Sequence, residues 1–298
     1  MKKSQRIYIN ILYTLISIIF IIFIYGIYKS YIRFENFTTP DKNAIVVLTK
    51  GYNTLEQYDS LIKRNESIYS KFYSKANKDM FDIVIFNEGN ITTEHQEYIR
   101  SRTPELPLKF TSIPFYNNIE VNNMCPPTEL SNRFSNGYKN MCYFWSIDFL
   151  RYLKEYNYVI RIDEDCIIHK LDSDIIERYT RDNIMFSSAN YQESDDIDVT
   201  VGMDRFFNTF LSENSLSQKN ELKMPYTNFV IINIQYFYHN TIIKKVLEKI
   251  KDTNCIFSNR WGDLPIWGYI LSYLIDKQYF IEDKNIVYYH GSHAAHIN

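Results

Sequence analysis

The stretch Tyr158-Val-Ile-Arg-Ile-Asp-Glu-Asp-Cys-Ile-Ile-His169 passes from an apolar run straight into three consecutive acids. An apolar run of this length is the pattern of a buried strand. Carboxylates at its end are costly to bury unless a cation or hydrogen bonds compensate them. Open α/β sheets place their ligands at the carboxyl ends of strands, so Asp163, Glu164 and Asp165 stand where a divalent metal would be held against a phosphate. The same three residues also suit a solvated turn or a helix cap. Arg161 shares a strand face with Asp163 because side chains alternate with period two, so it can reach the same phosphates or carboxylates, or form a structural ion pair.

Outward from this segment, apolar runs of strand length alternate with helical patterns in the order of a mostly parallel sheet covered by helices. Strands are expected at Ala44–Thr49, Phe81–Phe86 and Lys109–Pro114 before it, and at Asn183–Ser188, Thr227–Ile234 and Asn285–Tyr289 after it. Helices are expected over Tyr52–Tyr73, Lys139–Tyr156, Thr241–Lys251 and Leu264–Leu274. In the second of these, Met141, Trp145, Phe149 and Tyr152 recur at helical spacing, so one face packs on the sheet. The opening half reads as a nucleotide-binding unit, with Lys50 at the end of the first strand as a phosphate contact or a solvated turn residue.

The 298 residues suffice for a sizeable core. A net charge of −2 supplies no basic field of the kind a nucleic-acid binder needs. The 26 Tyr and 20 Phe suit a sugar-binding cleft and ordinary half-buried strands equally well. Ile7 to Tyr28 is an uncharged apolar run, long enough for a bilayer that takes about 20 residues. Lys2, Lys3 and Arg6 precede it and Lys29 and Arg33 follow, a bias that keeps the N-terminus cytosolic. The expected layout is a cytosolic tail over 1–6, an uncleaved signal anchor over 7–28, a stem over 29–43 and a catalytic domain over 44–298, in type II topology. Asn36, Asn65 and Asn90 begin Asn-x-Ser/Thr triplets. Cys125, Cys142, Cys166 and Cys255 either form up to two disulfides or remain buried thiols, and none has the spacing of a zinc site.

Four blocks in register resemble the fungal α-1,2-mannosyltransferases of glycosyltransferase family 15. Tyr138-Lys-Asn-Met-Cys-Tyr-Phe-Trp145 is similar to the family's Tyr-x-x-Met-Cys-Arg, and Tyr158 to Asp165 resembles its Trp-Arg-Val-Glu-Pro-Asp strand. Arg260-Trp-Gly-Asp-Leu-Pro265 resembles Arg-Trp-Gly-Asp-Ala-Pro, the most specific of the four. Phe280-Ile-Glu-Asp283 through Tyr289-His290 is similar to the family's Asp-Ile-Gly-Tyr-His-His ending. The resemblance implies a glycosyltransferase A fold, a GDP-mannose donor, manganese, retention of anomeric configuration, a glycan or glycoprotein acceptor, and a lumenal Golgi or secretory setting.

It also implies site residues. Asp163 stands at the family's metal-binding Glu and His290 at its terminal metal-binding His, an oxygen and nitrogen donor set that manganese accepts. Asp165 is expected as a further, water-bridged ligand or a partner of the donor sugar. Tyr138 matches a tyrosine near the nucleotide, and Asp263 matches a carboxylate facing the acceptor, although it also suits a helix cap. One departure stands out. The family's Ser-Asn-Phe-Glu-Ile, whose Glu is the proposed nucleophile, aligns with Thr227-Asn-Phe-Val-Ile231, and Val230 can neither attack an anomeric carbon nor take a proton. The change of Glu-Pro-Asp to Asp163-Glu-Asp165 keeps an acid at each end of the triplet, shortening the first, but leaves the sugar open, so a UDP-hexose donor stands beside GDP-mannose. Three outcomes stay open: a front-face route in which the leaving phosphate helps deprotonate the acceptor, another carboxylate such as Asp263 in the nucleophile's place, or a catalytically silent carbohydrate-binding module with the same fold.

Overall fold

The computed structural model describes residues 16–17, 20–21, 40–117 and 120–291. The expected anchor and stem therefore fall outside the described residues, apart from two short pieces within 7–28 and residues 40–43, the last of which already opens the first strand. Among the described residues no helix is long and apolar enough to cross a membrane.

From Asp41 onward the described residues form one compact α/β unit. The strands in chain order are β1 (Asn43–Leu48), β2 (Phe81–Asn87), β3 (Leu108–Ser112), β4 (Tyr158–Ile162), β5 (Cys166–Lys170), β6 (Phe186–Ser188), β7 (Tyr191–Gln192), β8 (Met224–Pro225), β9 (Phe229–Asn233), β10 (Phe280–Glu282) and β11 (Val287–His290). Seven of them make the central sheet in the order β10-β6-β9-β4-β1-β2-β3. Every neighbouring pair is parallel except those made by β9, which runs antiparallel to both β4 and β6. The expected mostly parallel sheet is thus present. The two small sheets, β5 with β11 and β7 with β8, are antiparallel.

Alternation along the strands builds a core on each face. Ala44 and Val46 of β1 join Val84, Phe86, Val159, Val230 and Ile232 under the helices Asn136–Tyr143, Met203–Glu213, Thr241–Thr253 and Asp263–Leu274. Ile45 and Val47 join Ile83, Ile85, Ile160, Ile162 and Ile231 beneath the helices Asp59–Ile68, Thr93–Arg102 and Ile175–Asp182. Both faces are covered, which is why these strands read as unbroken apolar runs. The helix expected over Lys139–Tyr156 is not continuous. Asn136–Tyr143 passes into a wider π-type turn over Phe144–Asp148 before Phe149–Tyr152, and this lets Phe144, Trp145 and Phe149 all reach the core.

Cys125 and Cys255 are joined, with Cα atoms 5.7 Å apart, while Cys142 and Cys166 are buried thiols. Around the disulfide the Ser258 hydroxyl donates to the Cys125 carbonyl at 2.9 Å, and the Asn259 amide donates to the Pro126 carbonyl at 2.9 Å. Cys255→Ser is expected to lower stability by about 2–4 kcal/mol. The check is a urea midpoint compared with that of wild type in the absence of reductant; equal midpoints would reject it. Of the three glycosylation triplets, Asn65 is fully buried in its helix, so only Asn90, on an exposed turn, remains accessible among the described residues.

Candidate active site

The apolar run and the acids of Tyr158–Asp165 separate as the sequence predicts, because β4 ends at Ile162 and the chain turns through Asp163-Glu164-Asp165 into β5. Arg161 lies opposite Val46 on one side and Val230 on the other. Its guanidinium sits 4.4 Å above the Trp145 ring and is only 3 % exposed. Nε and Nη2 donate to the two carboxylate oxygens of Asp163 at 2.9 and 3.2 Å, and Nη1 donates to Asp263 Oδ2 at 2.5 Å. Burial alone would lower the Arg161 pKa, but Asp163 and Asp263 outweigh it and hold the group charged. Each guanidinium nitrogen is engaged, so Arg161 takes the ion-pair role of the two the sequence allows. Asp263 reaches it from the first turn of Asp263–Leu274, where the partial positive charge of a helix start also favours a carboxylate.

Asp165 looks another way. Its Oδ1 lies 3.2 Å from His290 Nε2, and its carbonyl accepts from the Gly291 amide at 3.0 Å. The pairing of β5 with β11 sets His290 opposite Cys166, so one ligand atom each from Asp165, Cys166 and His290 lie within 4.8 Å of one another. A Cβ on Gly291 would stand 3.3 Å from that of Asp165, so the turn closes tightly against the acid. A carboxylate and an imidazole side by side fit a manganese ion as part of its shell. Asp163, expected as a ligand too, has its carboxylate turned to Arg161.

Glu164 points away from both. It accepts hydrogen bonds from the hydroxyls of Thr49 and Tyr52 and so ties the acid turn to the loop that follows β1. Burial and the adjacent Glu164 push the Tyr52 pKa up, so the phenol remains a donor. The Tyr52 amide donates in turn to the Tyr58 hydroxyl at 3.0 Å, and that hydroxyl pairs with His95 Nδ1 at 3.0 Å. Lys50 lies on this loop, exposed, with its ammonium 5.0 Å from the Tyr52 ring centre. Sequence reading gave Glu164 no role of its own.

Tyr138 belongs to a third cluster. Arg260 donates through Nη2 to its hydroxyl at 2.7 Å and through Nη1 to Asp195 at 3.1 Å, and it packs over the rings of Phe134 and Tyr138 at 4.5 and 5.1 Å. Arg260 holds this position with φ at +80°, a strained value for a non-glycine residue. Burial pushes the Tyr138 hydroxyl pKa up, with Arg260 opposing it. Val230 is 1 % exposed and belongs to the core, so this position of β9 offers no carboxylate.

No family model matches the chain. It is 22 % identical over 269 residues to "Probable mannosyltransferase MNT3" of Candida albicans, covering 78 % of this chain and 66 % of that protein. It is 25 % identical over 282 residues to "Glycolipid 2-alpha-mannosyltransferase 2" of the same organism, covering 84 % and 60 %. The chain therefore spans less than two thirds of the length of these curated relatives. Among solved structures, core-mannan synthase A (CmsA/Ktr4) from Aspergillus fumigatus in its Mn/GDP form superposes with a TM-score of 0.71 at 18 % identity, covering 84 % of this chain and 74 % of that one. The mannosyltransferase Ktr4p of S. cerevisiae in complex with GDP gives 0.70 at 17 % identity, covering 84 % and 71 %. The chain thus resembles fungal mannosyltransferases in sequence, as a divergent relative, and shares the fold of two of them.

Proposed function

We propose that this chain is a metal-dependent glycosyltransferase that moves mannose from GDP-mannose to a glycan or glycoprotein hydroxyl. The observation that carries the reading is the convergence of Arg161, Asp163, Asp165, Asp263 and His290 around the carboxyl end of β4, in a fold shared with the Mn/GDP-bound synthase. In that reading Asp165 and His290 hold a manganese ion, which when bound offsets negative charge on the leaving diphosphate. Lys50 and the loop fixed by Glu164 lie beside the nucleotide. Arg161 holds Asp163 and Asp263 in place, and Tyr138 borders the donor with its hydroxyl held by Arg260. Val230 removes a double displacement built on that residue; in this proposal the acceptor attacks on the face the diphosphate leaves, with a phosphate oxygen taking its proton, and Asp263 is the carboxylate that would stand in if a covalent route is used. The whole protein is a type II membrane enzyme of the secretory pathway, Golgi by preference, with the tail, anchor, stem and catalytic domain laid out over 1–6, 7–28, 29–43 and 44–298.

The test is a donor survey with the full chain in detergent, offering GDP-mannose and UDP-glucose with and without Mn2+ and following both nucleotide release and transfer to a mannoside. Manganese-dependent turnover of GDP-mannose in preference to UDP-glucose is the expected result. Preference for UDP-glucose would move the donor to a UDP-hexose, and binding of mannosides without turnover of any donor would favour the silent binding module.

A further inference from the structure

Arg64 lies on the helix Asp59–Ile68 and is fully buried, among apolar neighbours that include Leu61, Ile62 and Ile68. Its guanidinium donates through Nε to the Ile162 carbonyl at 2.9 Å, through Nη2 to the Val46 carbonyl at 3.0 Å and through Nη1 to Asn65 Oδ1 at 2.8 Å. All three acceptors are neutral. A buried guanidinium without a carboxylate in contact is an expensive choice in a core that an apolar side chain of similar size would fill more cheaply. Burial draws its pKa down to about 10, with Cys166, Asp163 and Glu164 opposing the shift, so it stays charged at neutral pH.

The two carbonyls explain the choice. β1 and β4 pair from Ala44↔Val159 to Val46↔Arg161, and there the pairing stops, while β1 continues beside β2 as far as Leu48↔Phe86. The strand order also reverses between β1 and β4, since β2 and β3 lie beyond β1 and β9, β6 and β10 lie beyond β4. Open α/β sheets bind ligands in the crevice at such a switch point. Arg64 bridges the Val46 and Ile162 carbonyls where the β1–β4 pairing ends, Ile162 being the residue before the acid turn Asp163–Asp165 and Val46 lying two residues before the end of β1.

We propose that Arg64 is a positioning residue whose fork wedges β1 from β4 and so fixes the distance between the Thr49–Tyr52 loop and the acid turn. The role in catalysis rests on the nucleotide-sugar reading above; the wedge itself does not. A lysine keeps the charge but has no rigid, diverging pair of donors to span both carbonyls.

The experiment compares wild type, Arg64→Lys and Arg64→Gln as full chains in detergent, by amide hydrogen exchange and by calorimetric titration of GDP in the presence of Mn2+. The expected result is exchange about tenfold faster in residues 47–52 and 163–166 of both variants, with the Asp263–Leu274 helix unchanged, and GDP affinity about tenfold weaker. A merely structural arginine would speed exchange throughout the unit instead. Arg64→Lys exchanging like wild type in those two segments, or exchange rising uniformly across all helices, would overturn the proposal. If wild type itself binds no GDP, the nucleotide reading fails, and the exchange comparison still decides the wedge.

Discussion

Replacing Asp263 with alanine is expected to destabilise the fold by about 3–5 kcal/mol, the range for breaking a buried ion pair from one side. The size of the effect follows from where the lost charge sits. Arg161 is 3 % exposed and Asp263 5 %, so the Arg161 Nη1 donor would lose its carboxylate acceptor in a buried site. Asp163 would still hold the other edge of the guanidinium through two bonds, which is why the chain should lose stability without losing the β4 turn. Asp263→Asn keeps an acceptor and should cost less than the alanine. Urea midpoints of the two variants against wild type provide the check, and an alanine midpoint within error of wild type would mean that the pair contributes nothing net. Turnover of GDP-mannose should fall in both, since the asparagine preserves the contact but removes the negative charge.

The opposite pattern is expected at Asp165. Asp165→Ala should leave the urea midpoint almost unchanged, because its side chain is about one third exposed and its partner His290 stands on the short strand β11. Manganese-dependent GDP affinity, in contrast, should drop by about 100-fold or more with loss of a carboxylate donor. His290→Ala should reproduce the loss, and the double variant should add little to either, as neighbours in one shell are not additive. Titration of GDP with and without Mn2+ separates the metal contribution from the rest. Metal-dependent affinity preserved in Asp165→Ala would remove this pair from the metal site and direct attention to Asp163.

Much of the architecture is readable in the chain because the central strands are buried on both faces. Their runs of Ile and Val are interrupted internally only by Asp82 of β2 and Arg161 of β4, and β1, β2, β4 and β9 fall within a residue or two of where those runs predict. The pieces that escape are short or lie at the periphery. β5 was not expected as a strand and acquires meaning only by pairing with β11, which overlaps the strand expected at Asn285–Tyr289 but stands outside the central sheet. The helix Met203–Glu213 was legible but passed over, since Met203, Phe206, Phe207, Phe210 and Leu211 repeat at helical spacing. Of the site, the acids at the end of β4 announce themselves, whereas the approach of His290 to Asp165 depends on tertiary pairing and was suggested only by family resemblance. Arg64 left no signal, because an arginine in a helix of mixed polarity reads as solvated until its burial is known.

The Cys125–Cys255 bond closes a ring across 130 residues of chain, and that ring encloses everything from β4 to β9. The order of synthesis gives this a consequence for biogenesis. Cys125, Cys142 and Cys166 all leave the ribosome well before Cys255, so an oxidase meeting the growing chain finds only wrong partners for Cys125. Both wrong partners end up buried, one in each core, and a strand or helix that packs promptly hides its thiol from exchange. The strand that pairs over Cys166, β11, follows Cys255 in the chain, so that thiol stays open to exchange until the proper partner of Cys125 has emerged.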